Sequence, residues 1–323
     1  MRILSIGADL RMDVGRTMRG HVQCRFEHAA HLKLDDGRLL TLLGSEAQRG
    51  MRVINVAGLD WPELRQSLAP GDAVSLSAVA LKHARFTLPI HGVDVWQAPD
   101  IAGSFAGIAL SDQRARLQIC VAAMTTYLDT LSATTSAPTY RLWQAALAAF
   151  ARVTESVRAC GDTDAIDVSL DRAVGAALGL GPGLTPSADD MIAGMLTGFL
   201  AAQASGARAS KLAQCVQRHW HGTSIASRDG LAQAMHGWTT SRMADVCAAL
   251  TRTSHTPTSP TSTLRDALDA QVAVGRHSGL DTLVGFLTGL GLGADLAGQT
   301  SSVIFPHADL GRRCAPIQER MFA

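Results

Sequence analysis

The chain has 323 residues, which is enough for two domains. Hydrophobic residues make up 47% and charged residues 18%, so the composition is that of a globular protein with a substantial core. Lys and Arg total 29 against 28 Asp and Glu, and aromatic residues are only 5%. A near-neutral chain with few aromatics lacks the basic surface and the stacking platforms of nucleic-acid binders, so we expect no nucleic acid among its partners.

Nothing in the sequence indicates a membrane or an oxidising compartment. The first twenty residues are rich in Arg and Asp and have no apolar core of a signal peptide. The longest uncharged apolar stretch, Met191 to Ala207, is shorter than the roughly 20 residues that span a bilayer. The six cysteines are scattered, without a CxxC pair or zinc spacing. We therefore expect a cytoplasmic protein with free thiols, no metal site and no cofactor.

Short strand-like runs follow one another from about Gly20 to Trp96. They are bounded by turn signals, and Asp36-Gly37 between two apolar runs is typical of a hairpin. The pattern predicts a small antiparallel barrel or sandwich over residues 1–100. The predicted runs are Cys24–Ala29, Arg38–Leu43, Arg52–Val56 and Ala73–Leu76.

After Pro99 the apolar spacing becomes helical, and a Ser/Thr/Pro-rich loop is expected over Thr251–Thr263. The fold class predicted is therefore α+β, with a β-barrel or sandwich-like domain over residues 1–100 and a larger α-helical domain over residues 101–323. The predicted helices are Ser111–Leu131, Tyr140–Ala159, Ser169–Leu178, Ala188–Ala202, Ser210–Trp220, Ile225–Trp238, Ala244–Leu250, Leu264–Val274 and Leu280–Leu296.

Residues 179–190 read Gly-Leu-Gly-Pro-Gly-Leu-Thr-Pro-Ser-Ala-Asp-Asp, a glycine-rich loop that runs into a helix. The helix start is either Thr185 as N-cap with Pro186 at the first helical position, or Ser187 as N-cap with Asp190 as its capping-box partner. Both versions expose backbone N–H groups at the positive end of a helix, which binds anions. A tight turn without a ligand is the alternative. The candidate anion ligands are the backbone of Gly181, Gly183 and Leu184 and the hydroxyls of Thr185 and Ser187.

The pattern Ser-x-x-Asp-x-x-x-Gly-x-x-Thr-Gly occurs a second time. At a constant offset Ser187 matches Ser278 and Asp190 matches Asp281, and Gly194, Thr197 and Gly198 match Gly285, Thr288 and Gly289. Asp and the two glycines lie on one helix face, so we expect the two helices to pack closely with both N-termini at one pocket. Ser278, Gly279 and Asp281 then join the candidate substrate-binding residues. A duplicated packing motif without a ligand is the alternative.

Charged residues flank both motifs. We expect Asp190 and Asp281 to cap their own helices, and Asp189 to be freer to orient a ligand amide or a metal-bound water. Three carboxylates could hold Mg²⁺, but no ligand spacing requires it. Arg276 is a candidate clamp for a carboxylate or phosphate, and His277 a candidate proton donor or electrophile. A surface ion pair and a satisfied flanking histidine are the alternatives. The candidate catalytic residues are therefore His277, Arg276 and Asp189.

The Gly-Leu-Gly-Pro-Gly-Leu-Thr-Pro-Ser-Ala-Asp-Asp segment resembles the signature of the AllH-type family, a subunit associated with oxamate carbamoyltransferase in anaerobic allantoin breakdown. The segment Gly275-Arg-His-Ser-Gly-Leu-Asp281 resembles the second motif of the family. Ala188 stands where the family pattern has Gly, and His277 where it has Thr. The second departure changes the number of hydroxyls near the pocket.

The resemblance implies a transfer of the form carbamoyl phosphate plus oxamate to oxalurate and phosphate, or its reverse, by a chain that acts with other protein subunits. Such a transfer needs oriented reactants and stabilised charge rather than a protein nucleophile. Two alternatives remain open. The chain is a non-catalytic ligand-binding or assembly subunit, or an enzyme for another small carboxamide or organic acid.

Overall fold

The computed structural model describes residues 1–11, 16–45, 47–160, 167–202, 207–252 and 260–296. The chain divides into two compact units. The first contains Met1–Pro99 and the short segment Trp238–Ala244, and the second contains Asp100–Gly237 and the chain from Asp245 onwards. The predicted α+β class is confirmed, with a β-rich N-terminal part followed by helices. The exact domain boundary at residue 100 stays a prediction.

Within the described residues, the first unit carries nine strands in one curled sheet that resembles half a barrel. The strand order is β8-β7-β6-β2-β3-β4-β5-β1-β9. The strands are β1 (Ile3–Gly7), β2 (Thr17–Arg25), β3 (Ala29–Leu34), β4 (Leu39–Leu43), β5 (Val53–Val56), β6 (Ala73–Ser77), β7 (Ala80–His83), β8 (Phe86–Pro89) and β9 (Asp94–Trp96).

Three of the four predicted strand runs fall on β4, β5 and β6, but the prediction for Cys24–Ala29 is wrong. That run crosses the turn between β2 and β3, where the N–H of Phe26 donates to the carbonyl of Ala29 at 2.7 Å. The hairpin at Asp36-Gly37 is confirmed, because β3 and β4 pair antiparallel and Gly37 takes a φ of 88°. The sheet also starts earlier than Gly20, and the pairs β4–β5 and β1–β9 are parallel rather than antiparallel.

Alternation of side chains builds the core of the first unit. In β3 every second residue is buried, so one face of the strand packs inward, as expected for a sheet with one covered face. Helix α1 (Trp61–Ser67), for which the sequence pattern gave no prediction, packs on this core. Its Trp61 is buried and donates its indole N–H to the carbonyl of Glu27 at 2.7 Å.

The second unit is helical. The described helices after Pro99 are α2 (Leu110–Thr134), α3 (Ala137–Ala159), α4 (Val168–Ala177), α5 (Ser187–Ala201), α6 (Ala207–His219), α7 (Ile225–Met235), α8 (Ser241–Thr251), α9 (Pro260–Val272) and α10 (Ser278–Leu296). Of these, α8 begins in the short segment that belongs to the first unit. Every predicted helix is present, with ends shifted by a few residues. The predicted loop Thr251–Thr263 is too long at its end, because α9 begins at Pro260; residues 253–259 lie outside the described residues. No described helix combines the length and hydrophobicity that crossing a membrane requires.

Candidate functional site

Glycines allow α5 and α10 to pack backbone against backbone. A Cβ added at Gly194 would lie 2.1 Å from the carbonyl oxygen of Thr282, and one added at Gly285 would lie 1.8 Å from that of Met191. Real Cβ atoms essentially never approach a neighbour so closely. The prediction that the two helices pack against each other through these small residues is therefore confirmed.

The helix pair has an approximate two-fold symmetry that follows the sequence repeat. Gly198 packs on the backbone of Phe286 as its counterpart Gly289 packs on that of Met195. The two threonines of the repeat also behave alike, because each donates its hydroxyl to the carbonyl four residues earlier in its own helix. The repeat is thus a structural duplication in which equivalent residues make equivalent contacts across the interface.

The N-terminal ends of the two helices meet. The hydroxyl of Thr185, just before α5, lies 3.0 Å from that of Ser278, the first residue of α10. The Thr185 hydroxyl also donates to Asp190 Oδ2 at 2.9 Å. This contact confirms that the two motifs come together in the fold. It also engages the hydroxyls of Thr185 and Ser278 with protein groups.

Serine and aspartate pair crosswise between the helices. The hydroxyl of Ser278, which lies 3.0 Å from that of Thr185, is close enough to Asp190 of the other helix to lower the pKa of that carboxyl. In the same way, the hydroxyl of Ser187 lies close enough to Asp281 to lower its pKa, although the two do not form a hydrogen bond of ordinary geometry. Burial is the larger effect on both carboxyls and raises both pKa values. The charge of Asp281 raises the pKa of Asp190 further.

Trp143 in α3 completes the buried side of this cluster. Its indole N–H donates to Asp281 Oδ1 at 2.7 Å, and both side chains are almost fully buried. The opposite oxygen, Asp281 Oδ2, has no hydrogen-bond partner among the described residues. Desolvation raises the pKa of Asp281 to about 7, although Trp143 and the nearby Ser187 hydroxyl lower it. Sequence reasoning missed Trp143, because a single tryptophan in an amphipathic helix carries no signal beyond core packing.

The glycine-rich loop presents free backbone donors. Gly181 and Gly183 have φ values of 119° and 104°, a region that favours glycine. Within the described chain, the N–H groups of Gly181, Gly183, Leu184 and Thr185 donate to no acceptor. Leu184 and Gly183 are exposed. Successive free N–H groups in such a loop form a concavity that suits an anion.

The helix start differs from both capping predictions. α5 begins at Ser187 with Pro186 as its N-cap, and no side chain caps it. The carbonyl of Leu180 instead accepts the N–H of Ala188 at 3.1 Å, so the loop itself satisfies part of the helix end. Asp190 is bonded to hydroxyls rather than to the helix end. The expectation that this aspartate caps its own helix is therefore wrong.

Gly279 has a packing role at the start of α10. Its N–H donates to the carbonyl of Val274 at 2.9 Å, and its own carbonyl accepts from the Gln271 side chain at 3.1 Å. A Cβ added there would lie 2.0 Å from the carbonyl oxygen of Gln271. The backbone of Gly279 is thus engaged with α9 in this structure, unlike that of Gly181.

Asp189 anchors the glycine-rich loop. Its Oδ1 accepts the N–H of Gly179 at 2.8 Å, its Oδ2 accepts the hydroxyl of Thr223, and the side chain is almost fully buried. Burial raises its pKa, and these hydrogen bonds lower it. The expectation that Asp189 is the freer carboxylate is therefore wrong. Thr223 precedes α7, so the start of a third helix lies beside that of α5.

His277 and Arg276 precede α10. His277 is buried, and neither of its ring nitrogens has a hydrogen-bond partner among the described residues. Burial and then the positive charge of Arg276 lower the pKa of His277, which favours a neutral imidazole. Arg276 is exposed and forms no ion pair with a described residue. Arg228 in α7 is half-buried, and its Nε likewise lacks a partner within the described ranges.

The site contains several hydroxyl and carboxyl oxygens, but its described residues do not form a metal-ligand cluster. No group of three or more His, Cys, Asp or Glu side chains suitable for a metal ion occurs in the described part of the chain. The polar groups brought together are hydroxyls, two coupled carboxyls and free backbone N–H groups. This arrangement suits a ligand bound by hydrogen bonds and charge.

A family model matches the part of the chain that contains this site. Residues 177–290 match the AllH family model. The description of this family is "Oxamate carbamoyltransferase subunit AllH". The match contains the glycine-rich loop, α5 and the start of α10, so it confirms the resemblance drawn from the two motifs. Neither the curated proteins nor the solved structures contain a significant match.

Proposed function

We propose that the helical unit binds an anionic substrate of a carbamoyl transfer reaction where the ends of α5 and α10 meet. The observation that carries this proposal is the 3.0 Å contact between Thr185 and Ser278 beside a loop of unbonded backbone N–H groups. Two helix dipoles and several free N–H groups favour a phosphate or carboxylate there. The family description of the matched segment supplies the reaction class.

The reaction proposed is carbamoyl phosphate plus oxamate to oxalurate and phosphate, or its reverse. In the forward direction the amide nitrogen of oxamate forms a bond to the carbamoyl carbon, the carbon–oxygen bond to phosphate breaks, and the amide nitrogen gives up a proton. We assign the N–H groups of Gly181, Gly183 and Leu184 to the phosphate or carboxylate. Preorganised donors of this kind stabilise charge that develops on a leaving group.

Arg276 and His277 are assigned to the reacting carbonyl and its substituents. Arg276 is exposed beside the end of α10 and supplies a positive charge for a carboxylate or phosphate. The neutral imidazole of His277 can donate one hydrogen bond and accept another. Asp189 positions the loop rather than contacting substrate, because both of its oxygens bind loop groups.

We also propose that the chain acts as one subunit of a larger enzyme, as the family description states for its members. The pathway proposed is the breakdown of allantoin, a purine product. A ligand-binding or assembly subunit without its own activity remains a second candidate, because several of the predicted ligand groups are engaged with the protein itself. Turnover of carbamoyl phosphate with oxamate by the purified chain alone supports a catalytic role for this chain. Turnover only in the presence of co-purifying subunits supports the ligand-binding or assembly role.

The binding proposal is tested by thermal stabilisation with phosphate, carbamoyl phosphate, oxamate and oxalurate. A ligand at 100 times its Kd adds about 2.7 kcal/mol to the free energy of unfolding, which gives a measurable rise in Tm. Gly181→Ala is expected to remove this rise, because its Cβ would lie 2.7 Å from the backbone nitrogen of Ser187. Gly71→Ala is the matched control, because Gly71 also has a positive φ but open space around it. An unchanged rise in the Gly181 variant contradicts the proposed site.

A further inference from the structure

The β-rich first unit contains a cavity of about 300 Å³, and every residue that lines it belongs to this unit. The loop of residues 90–93 forms part of its wall and joins β8 to β9, the two edge strands of the curled sheet. A water molecule occupies about 30 Å³ of liquid, so the cavity has room for about ten non-hydrogen atoms. This volume is at the lower end of the range for small-molecule pockets.

Branched aliphatic side chains form much of the cavity wall. Ile6 and Leu10 are almost fully buried, and Ile90 and Val93 pack against the core of the unit, so this part of the wall is continuous with the core. Val95 of β9 also lines the cavity and is exposed to solvent. Each CH₂ group that a ligand buries against such a wall lowers its Kd about fourfold. The wall therefore favours a ligand with a compact hydrocarbon body.

The polar side chains that line the cavity make it a site for an anion. Arg11 and His91 both line it and are exposed, and no Asp or Glu is among its lining residues. The guanidinium of Arg11 is always charged, and its planar set of N–H donors matches the two oxygens of a carboxylate. The imidazole of His91 can donate a second hydrogen bond. The Ser77 hydroxyl already donates to the carbonyl of Ala80 at 3.2 Å and is not assigned to the ligand.

The acidic residues closest in sequence to the two cations are paired with other arginines. Asp9 Oδ2 lies 3.2 Å from Arg38 Nη1 and 2.6 Å from Arg52 Nε. Asp94 Oδ2 lies 2.8 Å from Arg49 Nη1. Neither carboxylate therefore forms its ion pairs with the guanidinium that lines the cavity, and that positive charge is left for a ligand.

We propose that this cavity of the β unit binds a small monocarboxylate with a compact hydrocarbon body. Arg11 and His91 bind the carboxylate, and the apolar wall holds the hydrocarbon. The site is separate from the anion site proposed for the helical unit, because the two share no residue. Phosphate and oxamate have no hydrocarbon body and leave the apolar wall unfilled, so they are not ligands of this cavity.

A ligand series tests the inference on the full chain labelled with ¹⁵N-glycine. Gly92 lines the cavity and reports binding through its amide resonance, and Gly71, in another turn of the unit, is the control glycine. We expect isocaproate to shift Gly92 saturably and to leave Gly71 unchanged. Isocaproamide, which lacks the charge, should bind at least about fivefold more weakly. Acetate, which lacks the hydrocarbon body, should bind at least about tenfold more weakly.

Three results of this series overturn the inference: a Gly92 resonance that isocaproate does not shift, equal binding of the amide, and equal binding of acetate. A saturable shift of Gly92 by phosphate or oxamate also overturns it, because the apolar wall would then have no part in selecting the ligand.

Arg11→Gln tests the assignment of the carboxylate. The residue is exposed, so the fold should be unaffected, and we expect the Kd of isocaproate to rise about fivefold or more while that of isocaproamide stays unchanged. Arg19→Gln is the matched control, because Arg19 is also exposed but does not line the cavity. An equal Kd of isocaproate in the two variants overturns the inference.

Ala78→Phe tests the cavity itself. Ala78 lines the cavity, and a phenyl ring there should fill it and abolish the isocaproate shift of Gly92. Val79→Phe, at the exposed neighbouring position outside the lining, should keep the shift. A shift retained in the Ala78 variant overturns the inference. A Gly92 shift that appears on concentrating the wild-type chain without ligand also overturns it, because a second copy of the chain would then be the occupant.

Discussion

Replacing Gly285 by alanine is expected to destabilise the helical unit strongly. The new Cβ would lie 1.8 Å from the carbonyl oxygen of Met191, about 1.6 Å short of the 3.4 Å at which ordinary contact begins. The next nearest atoms are also backbone, at 2.6 and 2.9 Å, so no side chain can move aside. The helices must separate. Overpacking typically costs about 1–3 kcal/mol, and a backbone contact of this kind belongs at or above the upper end.

Gly230→Ala is the matched control for this substitution. Gly230 also lies within a helix, α7, but nothing lies within 4 Å of its added Cβ. Alanine should stabilise the unit there by about 0.5–1 kcal/mol, because it restricts the unfolded chain more than glycine does.

The assay is the thermal loss of the far-ultraviolet circular dichroism of helices. A loss of about 3 kcal/mol in a unit of this size lowers Tm by roughly 6–12 °C. The Gly230 variant should unfold slightly above the wild type. A Gly285 variant that unfolds within a degree of the wild type, or above the Gly230 variant, would refute the close backbone packing of α5 and α10.

Three further predictions concern the buried polar groups. Burial raises the pKa of Asp281 from 3.8 to about 7. The protonated carboxyl therefore contributes fully to the free energy of unfolding below about pH 4, and this contribution is lost as the pH rises through about 7. The contribution is on the order of 4 kcal/mol. Asp281→Asn should flatten this part of a pH series of urea denaturations. Trp143→Phe should cost about 1–3 kcal/mol in the same assay, because Oδ1 loses its donor. Asp189→Asn should weaken phosphate binding severalfold in calorimetry, because one of the loop contacts to Gly179 and Thr223 is lost.

Controls for these variants come from the same unit. Trp220→Phe removes an indole for which no hydrogen bond is found among the described residues, and should leave stability nearly unchanged. Asp266→Asn should leave both the pH series and phosphate binding as in the wild type. A pH series that is equally steep with asparagine at position 281 would show that another group causes the dependence. A cost below 0.5 kcal/mol for Trp143→Phe would contradict the buried hydrogen bond.

The packing of α5 on α10 could be predicted from sequence, because it depends on a local repeat. Small residues four positions apart in a helix mark a face where backbones approach, and Gly194 and Gly285 occupy that face in both copies. The class of the fold was also accessible, since the change from short alternating runs to helical spacing near Pro99 reflects the two periods of side-chain direction.

The partners of individual side chains could not be predicted, because they come from distant parts of the chain. Trp143 reaches Asp281 from another helix, and Thr223 reaches Asp189 from a loop. Sequence spacing alone suggested that Asp189 was free and that Asp190 capped its helix. In the fold the loop folds back and satisfies part of the helix end itself, so both carboxyls take tertiary partners instead.

One predicted strand was wrong for a similar reason. The run Cys24–Ala29 has strand-like composition, but the hairpin between β2 and β3 reverses within it. Strands β1 and β9 pair in parallel, a long-range contact for which the local sequence has no signal.

The loop before α5 and the start of α10 together form the proposed site for a small anion. Titration of carbamoyl phosphate into chain labelled with ¹⁵N-glycine measures this directly. We expect the amide resonances of Gly181 and Gly183 to shift with a single Kd, while those of Gly37 and Gly71 in the β unit do not. Saturable shifts confined to glycines outside the loop, with Gly181 and Gly183 unchanged, would contradict it.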